Sequence, residues 1–415
     1  MAINNWKKNA GFFIGGQFLS MFGSMLVQHS IIWSITLETK SGWVMTLFTC
    51  AALLPMVFIS LFAGVWADRF NRKILIIISD ASIALVTLGL AITYISGYKN
   101  IWLMLIIVTV RAFGQGIQQP AVSAVIPQIV PSESLTRFNG VQGTIQSLNM
   151  FAAPMVAAAL LTLMPLEYIF FIDVVTAVAG ISVMLLFVKV PNPPEKEFAG
   201  TGLKAYFSEI KEGFSYIGKK PWLKSLLAFS VLFSLLITPA AMLTPLQIAR
   251  SFGDDVWRLT ALEIVFSVGT MTGGIVISAW GGLKNKTHTV ALGCAGMGFA
   301  SLMLGVVPNF LVYLVFMMLC GVCIPICNTP SMALLQTHIS PEILGRVMGV
   351  YMMLAGFAMP AAMLVFGPVG DIIKIEWLLI ATGVVIFLGG FVLLRSKELV
   401  KIGGAKAPEI SEEGI

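Results

Sequence analysis

Five ionisable residues, His29, Asp80, Arg111, Asp173 and Glu263, stand inside long apolar runs of a 415-residue chain. A charge placed in hydrocarbon costs several kcal/mol unless it faces water or a partner, so each marks a place where something polar is handled. Carboxyls in such settings bind and release protons as their access to water changes. Glu263 is the first choice for that task, ~9 Å below the outer end of its run at helical rise and set among apolar neighbours. Asp173 is the second. Either also reads as a carboxylate hydrogen-bonded at a helix interface. Arg111 lies ~15 Å deep by the same measure and needs a counter-charge, a cavity or backbone carbonyls. His29 titrates near neutral pH and can shuttle protons, although a single histidine on an apolar helix also serves as packing. Asp80, two turns past a charged loop, reads as a partner for that loop's cations.

Uncharged polar groups gather in two of the runs. Gln17, Ser20, Ser24 and Gln28 follow helical spacing and share one face, and Gln115, Gln118 and Gln119 cluster in another run. Such a face avoids lipid. It lines a substrate cavity or makes polar contacts between neighbouring helices. With 22 methionines and 28 phenylalanines, the remaining lining can adapt to varied amphipathic ligands. Cys320, Cys323 and Cys327 share a helical face, but no histidine or carboxylate stands beside them, so they read as small membrane residues and not as metal ligands. No Gly-x-x-x-x-Gly-Lys-Ser/Thr loop occurs, and no polar stretch is long enough for an ATPase domain. The expectation is a non-enzyme without cofactor or metal, driven by an ion gradient or by the substrate's own gradient, with protons favoured over sodium for want of an oxygen-ligand cluster.

The elements that hold these residues follow from composition. Apolar residues make up 57% of the chain and charged ones 11%, against roughly a quarter charged in soluble chains. Twelve unbroken runs predict twelve membrane helices, at about 9–36, 43–66, 73–96, 101–127, 138–163, 166–188, 222–248, 257–281, 288–309, 311–336, 347–370 and 375–394. The start resembles a signal n-region, but the apolar stretch behind it is too long for a cleaved signal and reads as the first span. Four charges in Asp68–Lys73 force a tight aqueous turn between spans two and three. With that turn cytoplasmic, 20 of the 26 lysines and arginines fall inside and five outside, which places both termini in the cytoplasm. The net charge of +6 does not suggest nucleic acid, because the cations lie in short loops and not in a patch with aromatics. Residues 191–221 are the long polar stretch. It opens on a proline-rich linker and continues as an amphipathic helix through Leu203, Tyr206, Phe207, Ile210, Phe214 and Ile217. It separates an N-terminal six-helix bundle (1–190) from a C-terminal one (222–396), and a polar tail (397–415) is expected to lack structure.

The two bundles read as copies. Pro120, Pro131, Arg137 and Gly140 recur as Pro330, Pro341, Arg346 and Gly349, with equal proline spacing and one residue of offset after it. Gly64-x-x-x-Asp68-Arg69-x-x-Arg72-Lys73, Arg111-x-x-Gly114-Gln115-Gly116 and Gly140…Asn149…Pro154 complete the pattern. In these features the chain resembles the major facilitator superfamily, and over Pro120–Pro127, Ile172–Val174, Leu262–Ile264, Leu344–Val347 and Ala358–Pro360 its macrolide-efflux branch of drug/proton antiporters. The resemblance implies an all-α polytopic fold of two pseudo-symmetric six-helix bundles, with a substrate site between them. It implies a conformational latch at Gly64, Asp68, Arg69, Arg72 and Lys73, where Asn71 replaces the usual glycine; asparagine also tolerates a left-handed backbone, so the turn is expected to survive. It further implies a proton-coupling role for Arg111, a hinge at Pro154, and export over uptake. The expected partners are a small amphipathic substrate, protons and the bilayer of the inner (cytoplasmic) membrane, around a monomer. A siderophore, lipid or metabolite carrier of the same fold, exporter or importer, and a non-transporting sensor or scaffold remain open.

Overall fold

A computed structural model describes residues 6–191, 203–253 and 255–404. Polar caps punctuate its apolar runs. Ser41, Asn71, Asn100, Asn285 and Asn309 each accept a backbone N–H in the first turn of the helix that follows, which satisfies a donor no intrahelical carbonyl reaches. The helices are α1 (Trp6–Thr39), α2 (Gly42–Arg69), α3 (Arg72–Ile95), α4 (Ile101–Ile129), α5 (Leu135–Leu163), α6 (Leu166–Phe187), α7 (Leu203–Lys219), α8 (Pro221–Thr238), α9 (Thr244–Ser251), α10 (Val256–Trp280), α11 (Lys286–Val306), α12 (Phe310–His338), α13 (Pro341–Ile372), α14 (Ile375–Arg395) and α15 (Lys397–Gly404). Among the described residues there is no strand. Twelve segments are long and apolar enough to cross a bilayer, with α8 and α9 forming one of them, so the chain is an all-α polytopic membrane protein.

Three expectations change. The seventh span runs Pro221–Ser251 and contains a π turn, Pro239–Leu243. Pro239 and Pro245 bring no N–H to the ladder, and the Thr238 and Thr244 hydroxyls bond carbonyls one turn back, which loosens the helix locally. Asn71 is not left-handed. At φ −62° and ψ 113° it caps α3, its side-chain oxygen accepting from the N–H groups of Lys73 and Ile74, so the turn is closed by side-chain capping instead of positive φ. Residues 397–404 are helical. Leu399 is buried, Thr287 Oγ1 donates to Leu399 O (2.6 Å) and Asn285 Nδ2 to Val400 O (2.7 Å), so this part of the tail docks on the start of α11. Residues 405–415, the linker 192–202 and the side chains of Leu203, Tyr206 and Phe207 lie outside the described set. Leu399→Asp is expected to release α15, because a buried charge costs more than one short helix gains by docking. Limited proteolysis should then clip the tail while far-UV circular dichroism stays within a few per cent of wild type.

The helices form two compact units, Met1–Leu203 with Gly253–Glu263, and Lys204–Phe252 with Ile264–Ile415. In the first, α1 packs on α5 and α6, α2 on α4, and α3 on α4 and α6. Asn9 brackets Lys189, its amide donating to the carbonyl (2.9 Å) and accepting from the N–H (2.7 Å), which ties the start of α1 to the chain leaving α6. In the second, α11 is sandwiched by α12 and α14, and α8 lies on α13. The amphipathic helix α7 is held to the start of α13. Gly213 faces the Arg346 carbonyl, Glu212 pairs with Arg346 at 2.6 Å, and Ile217 joins a core with Trp222 and Leu223.

Candidate functional site

The first unit holds a buried polar network that joins four helices. Arg111 on α4 and Asp173 on α6 form an ion pair with side chains 1% and 0% exposed, deep among apolar neighbours. Arg111 Nη1 also donates to the Thr87 hydroxyl on α3, and Nη2 to the Ser24 carbonyl on α1 (3.3 Å). Asp173 collects the Ser24 hydroxyl on Oδ1 (3.1 Å) and the Thr87 hydroxyl on Oδ2 (3.2 Å). A carboxylate and a guanidinium removed from water hold together only when such extra bonds complete their shells.

A second rung lies beside the first. Asp80 Oδ1 accepts from Ser20 Oγ (2.9 Å) and Gln118 Nε2 (2.6 Å). Asp80 and Thr87 are seven residues apart, as are Arg111 and Gln118, so two helical turns on antiparallel α3 and α4 separate the rungs on both sides. The expectation that Asp80 serves the loop cations is therefore corrected: Ser20 and Gln118 are its hydrogen-bond partners, and its carboxyl faces the bundle interior. The cations are occupied too. Arg72 donates to the carbonyls of Ala67 (2.7 Å) and Ala124 (2.9 Å), and Lys73 to those of Leu185 (3.1 Å) and Val188 (2.7 Å), which fastens the start of α3 to the ends of α2, α4 and α6. Of the other latch residues, the side chains of Asp68 and Arg69 and the burial of Gly64 are outside the described set.

The predicted polar face of α1 divides. Ser20 and Ser24 spend their hydroxyls on Asp80 and Asp173, whereas Gln17 lines a cavity of roughly 180 Å³ with Phe18, Gln118, Gln119, Gln142 and Gln146. Gln115 and Gln119 line a neighbouring cleft of roughly 290 Å³ with Met56 and Ser60. Both fall below the ~300–1,000 Å³ of a drug-sized pocket, so neither alone has room for a whole molecule of that size. Gln28 is half-buried one turn beyond the network, outside both spaces. Sequence reading missed Thr87, which bridges the ion pair, and Gln142 and Gln146, whose four-residue spacing on α5 was the available signal. His29, bonded at Nδ1 to the Met25 carbonyl (2.8 Å) and edge-on to Trp33, lies near enough to the half-buried Glu263 for their charges to interact. Pro154 is buried in an uninterrupted α5, and the wholly buried Asn149 one turn before it has neither amide atom bonded among the described residues.

Twelve spanning helices, with a buried ion pair and glutamine-lined cavities in the first unit, are features of a membrane transporter. The chain matches the Major Facilitator Superfamily model over residues 12–363 and belongs to that family. It is 27% identical over 403 residues to macrolide efflux protein A of Streptococcus pyogenes, covering 96% of this chain and 98% of that protein. To macrolide efflux protein A of Enterococcus faecalis it is 29% identical over 301 residues, covering 72% and 92%. The crystal structure of the nucleoside transporter NupG superposes with a TM-score of 0.70 at 14% identity, covering 93% of this chain and 98% of that one, which shows the shared fold.

Proposed function

We propose that this transporter exports macrolide-like amphipathic drugs in exchange for protons by alternating access. The observation that carries the reading is the Arg111–Asp173 pair, an ionic group kept inside the first bundle together with partners from two further positions, the Thr87 hydroxyl and the hydroxyl and carbonyl of Ser24. The similarity to macrolide efflux proteins, over 96% of the chain for the Streptococcus pyogenes relative and 72% for the Enterococcus faecalis one, supplies the substrate class. In this reading Glu263, with His29 nearby, takes up and releases the proton. Arg111 and Asp173 couple that event to helix movement. Gln17, Gln28, Gln115 and Gln119 offer hydrogen bonds to the drug, with Ser20 and Ser24 bracing the same face from behind. Gly64, Asp68, Arg69, Arg72 and Lys73 form the latch, and Pro154 the hinge. Residues 1–190 and 222–396 are repeats joined by 191–221. The protein works as a monomer in the cytoplasmic membrane with both termini inside, and it has no enzymatic step.

Accumulation of a radiolabelled macrolide in energised cells tests this. Cells making the wild-type protein should accumulate less drug, and an uncoupler should abolish the difference. Glu263→Gln and Arg111→Ala should each slow efflux by about tenfold or more, the scale of a coupling energy of 1–3 kcal/mol. Undiminished efflux in both variants would remove the assigned roles.

A further inference from the structure

We propose that Asp80 is a second proton-binding carboxyl of this transporter, reached from the glutamine-lined cavity through Gln118; this deepens the proton-driven reading above and rests on it. The argument begins with charge. The buried network holds one cation, Arg111, and two carboxyls, Asp173 and Asp80, which lie close enough for their charges to act on each other. Arg111 is committed to Asp173, Thr87 and the Ser24 carbonyl. Asp80, 4% exposed, receives only the neutral donors Ser20 and Gln118.

Among the described residues the surroundings offer no other counter-charge. Towards Asp80, α1 presents Ser20, α4 presents Gln118 and Arg111, and α6 presents Asp173. On its own helix, Arg72 and Lys73 stand two turns away on backbone carbonyls, and no described side chain of α2 bonds it. Two ionised acids against one guanidinium would leave a bare charge in the bundle interior, where an unpaired carboxylate is too costly to keep. A proton cancels it. Both hydrogen bonds to Asp80 fall on Oδ1, so Oδ2 is the oxygen left to carry that proton.

Two further observations show how the proton would arrive. Gln118 lines the 180 Å³ cavity and also donates to Asp80, so a single side chain separates that space from the carboxyl. Arg111 Nε, in a side chain 1% exposed, has no acceptor among the described residues, and a buried N–H of that kind is ordinarily met by water. The step is simple in its balance. A hydronium at the cavity passes its proton to Asp80 and becomes water, an O–H bond forms on the carboxyl, and the same bond breaks when the proton leaves to a water at the other face, which becomes hydronium; nothing is oxidised or reduced.

Infrared difference spectra of the full-length protein in lipid vesicles, recorded across pH steps, test this directly. The wild-type protein should show the carbonyl band of a protonated buried carboxyl at neutral pH. Asp80→Asn should lose that band entirely, and Glu263→Gln should keep it. Ser20→Ala, which spares the carboxyl but removes one donor, should keep the band and move its frequency, so the result survives a failure of Asp80→Asn to fold. A band unchanged in Asp80→Asn and Ser20→Ala, or one that answers to sodium chloride and not to pH, overturns the proposal. Expected spectra together with no drug-driven proton flux in the same vesicles would uphold the proton site at Asp80 and sink the drug–proton exchange.

Discussion

Arg111→Met is expected to destabilise the protein by about 3–5 kcal/mol, the cost of leaving one member of a buried ion pair without the other. Asp173 has no exposed surface to ionise into, and its remaining donors, Ser24 and Thr87, are neutral hydroxyls. Screening does not soften this pair as it would one at a surface. The double variant Arg111→Met/Asp173→Leu removes both charges at similar volume and should recover most of the lost stability. Thermal unfolding of purified protein in detergent checks both, with the single variant melting several degrees lower and the double variant near wild type. Transport separates structure from coupling: the double variant should fold and still fail to exchange protons for drug. A double variant as unstable as the single one would show that the pair is not the source of the loss.

The second large effect lies in the other unit, where α11 and α14 touch through backbone. A methyl group built on Gly298 would stand 2.7 Å from the Gly383 carbonyl and against the backbone of Phe387, and one on Gly383 would stand 2.6 Å from Leu302 N. Backbone cannot step aside as a flexible side chain can. Small residues are what let two membrane helices approach this closely, since lipid tails compete for every other apolar contact. Gly298→Val should therefore exceed the about 1–3 kcal/mol of ordinary overpacking and cut the yield of monodisperse protein on gel filtration severalfold. Gly274→Ala is the control. It has open space around its Cβ position in α10 and should be neutral or stabilising by about 0.4–1 kcal/mol.

Much of this architecture can be read from hydropathy, because hydrocarbon admits only helices and closed barrels, in which every backbone group is satisfied, and runs of about 20 apolar residues fit helices. The charged turn at Asp68–Lys73 and the asparagines that open α3, α4, α11 and α12 are local signals, legible where they stand. What escaped was tertiary. The spacing of Ser20 and Ser24 announced a shared polar face, but only folding shows that Asp80 and Asp173 meet them there. Asp80 was misassigned because sequence distance placed it near Arg72 and Lys73, whereas its partners come from residues 38 and 60 positions away. Leu399 sat in a stretch polar by average, and one well-placed leucine was enough to dock it.

The π turn at Pro239–Leu243 makes one span behave as two. An extra residue in a helical circuit advances everything after it by about 100°. Downstream of that slip, Gln247 is turned to bond the Leu304 carbonyl (3.0 Å) and the Tyr313 hydroxyl (2.9 Å), and Arg250 to reach Asp371 (2.5 Å). Helical phase set by Trp222 and Leu226 therefore does not dictate where α9 points. Shortening the segment by one residue would rewind the phase and swing the amide and the guanidinium away from their anchors together, so this small irregularity governs how the upper third of the seventh span is aimed.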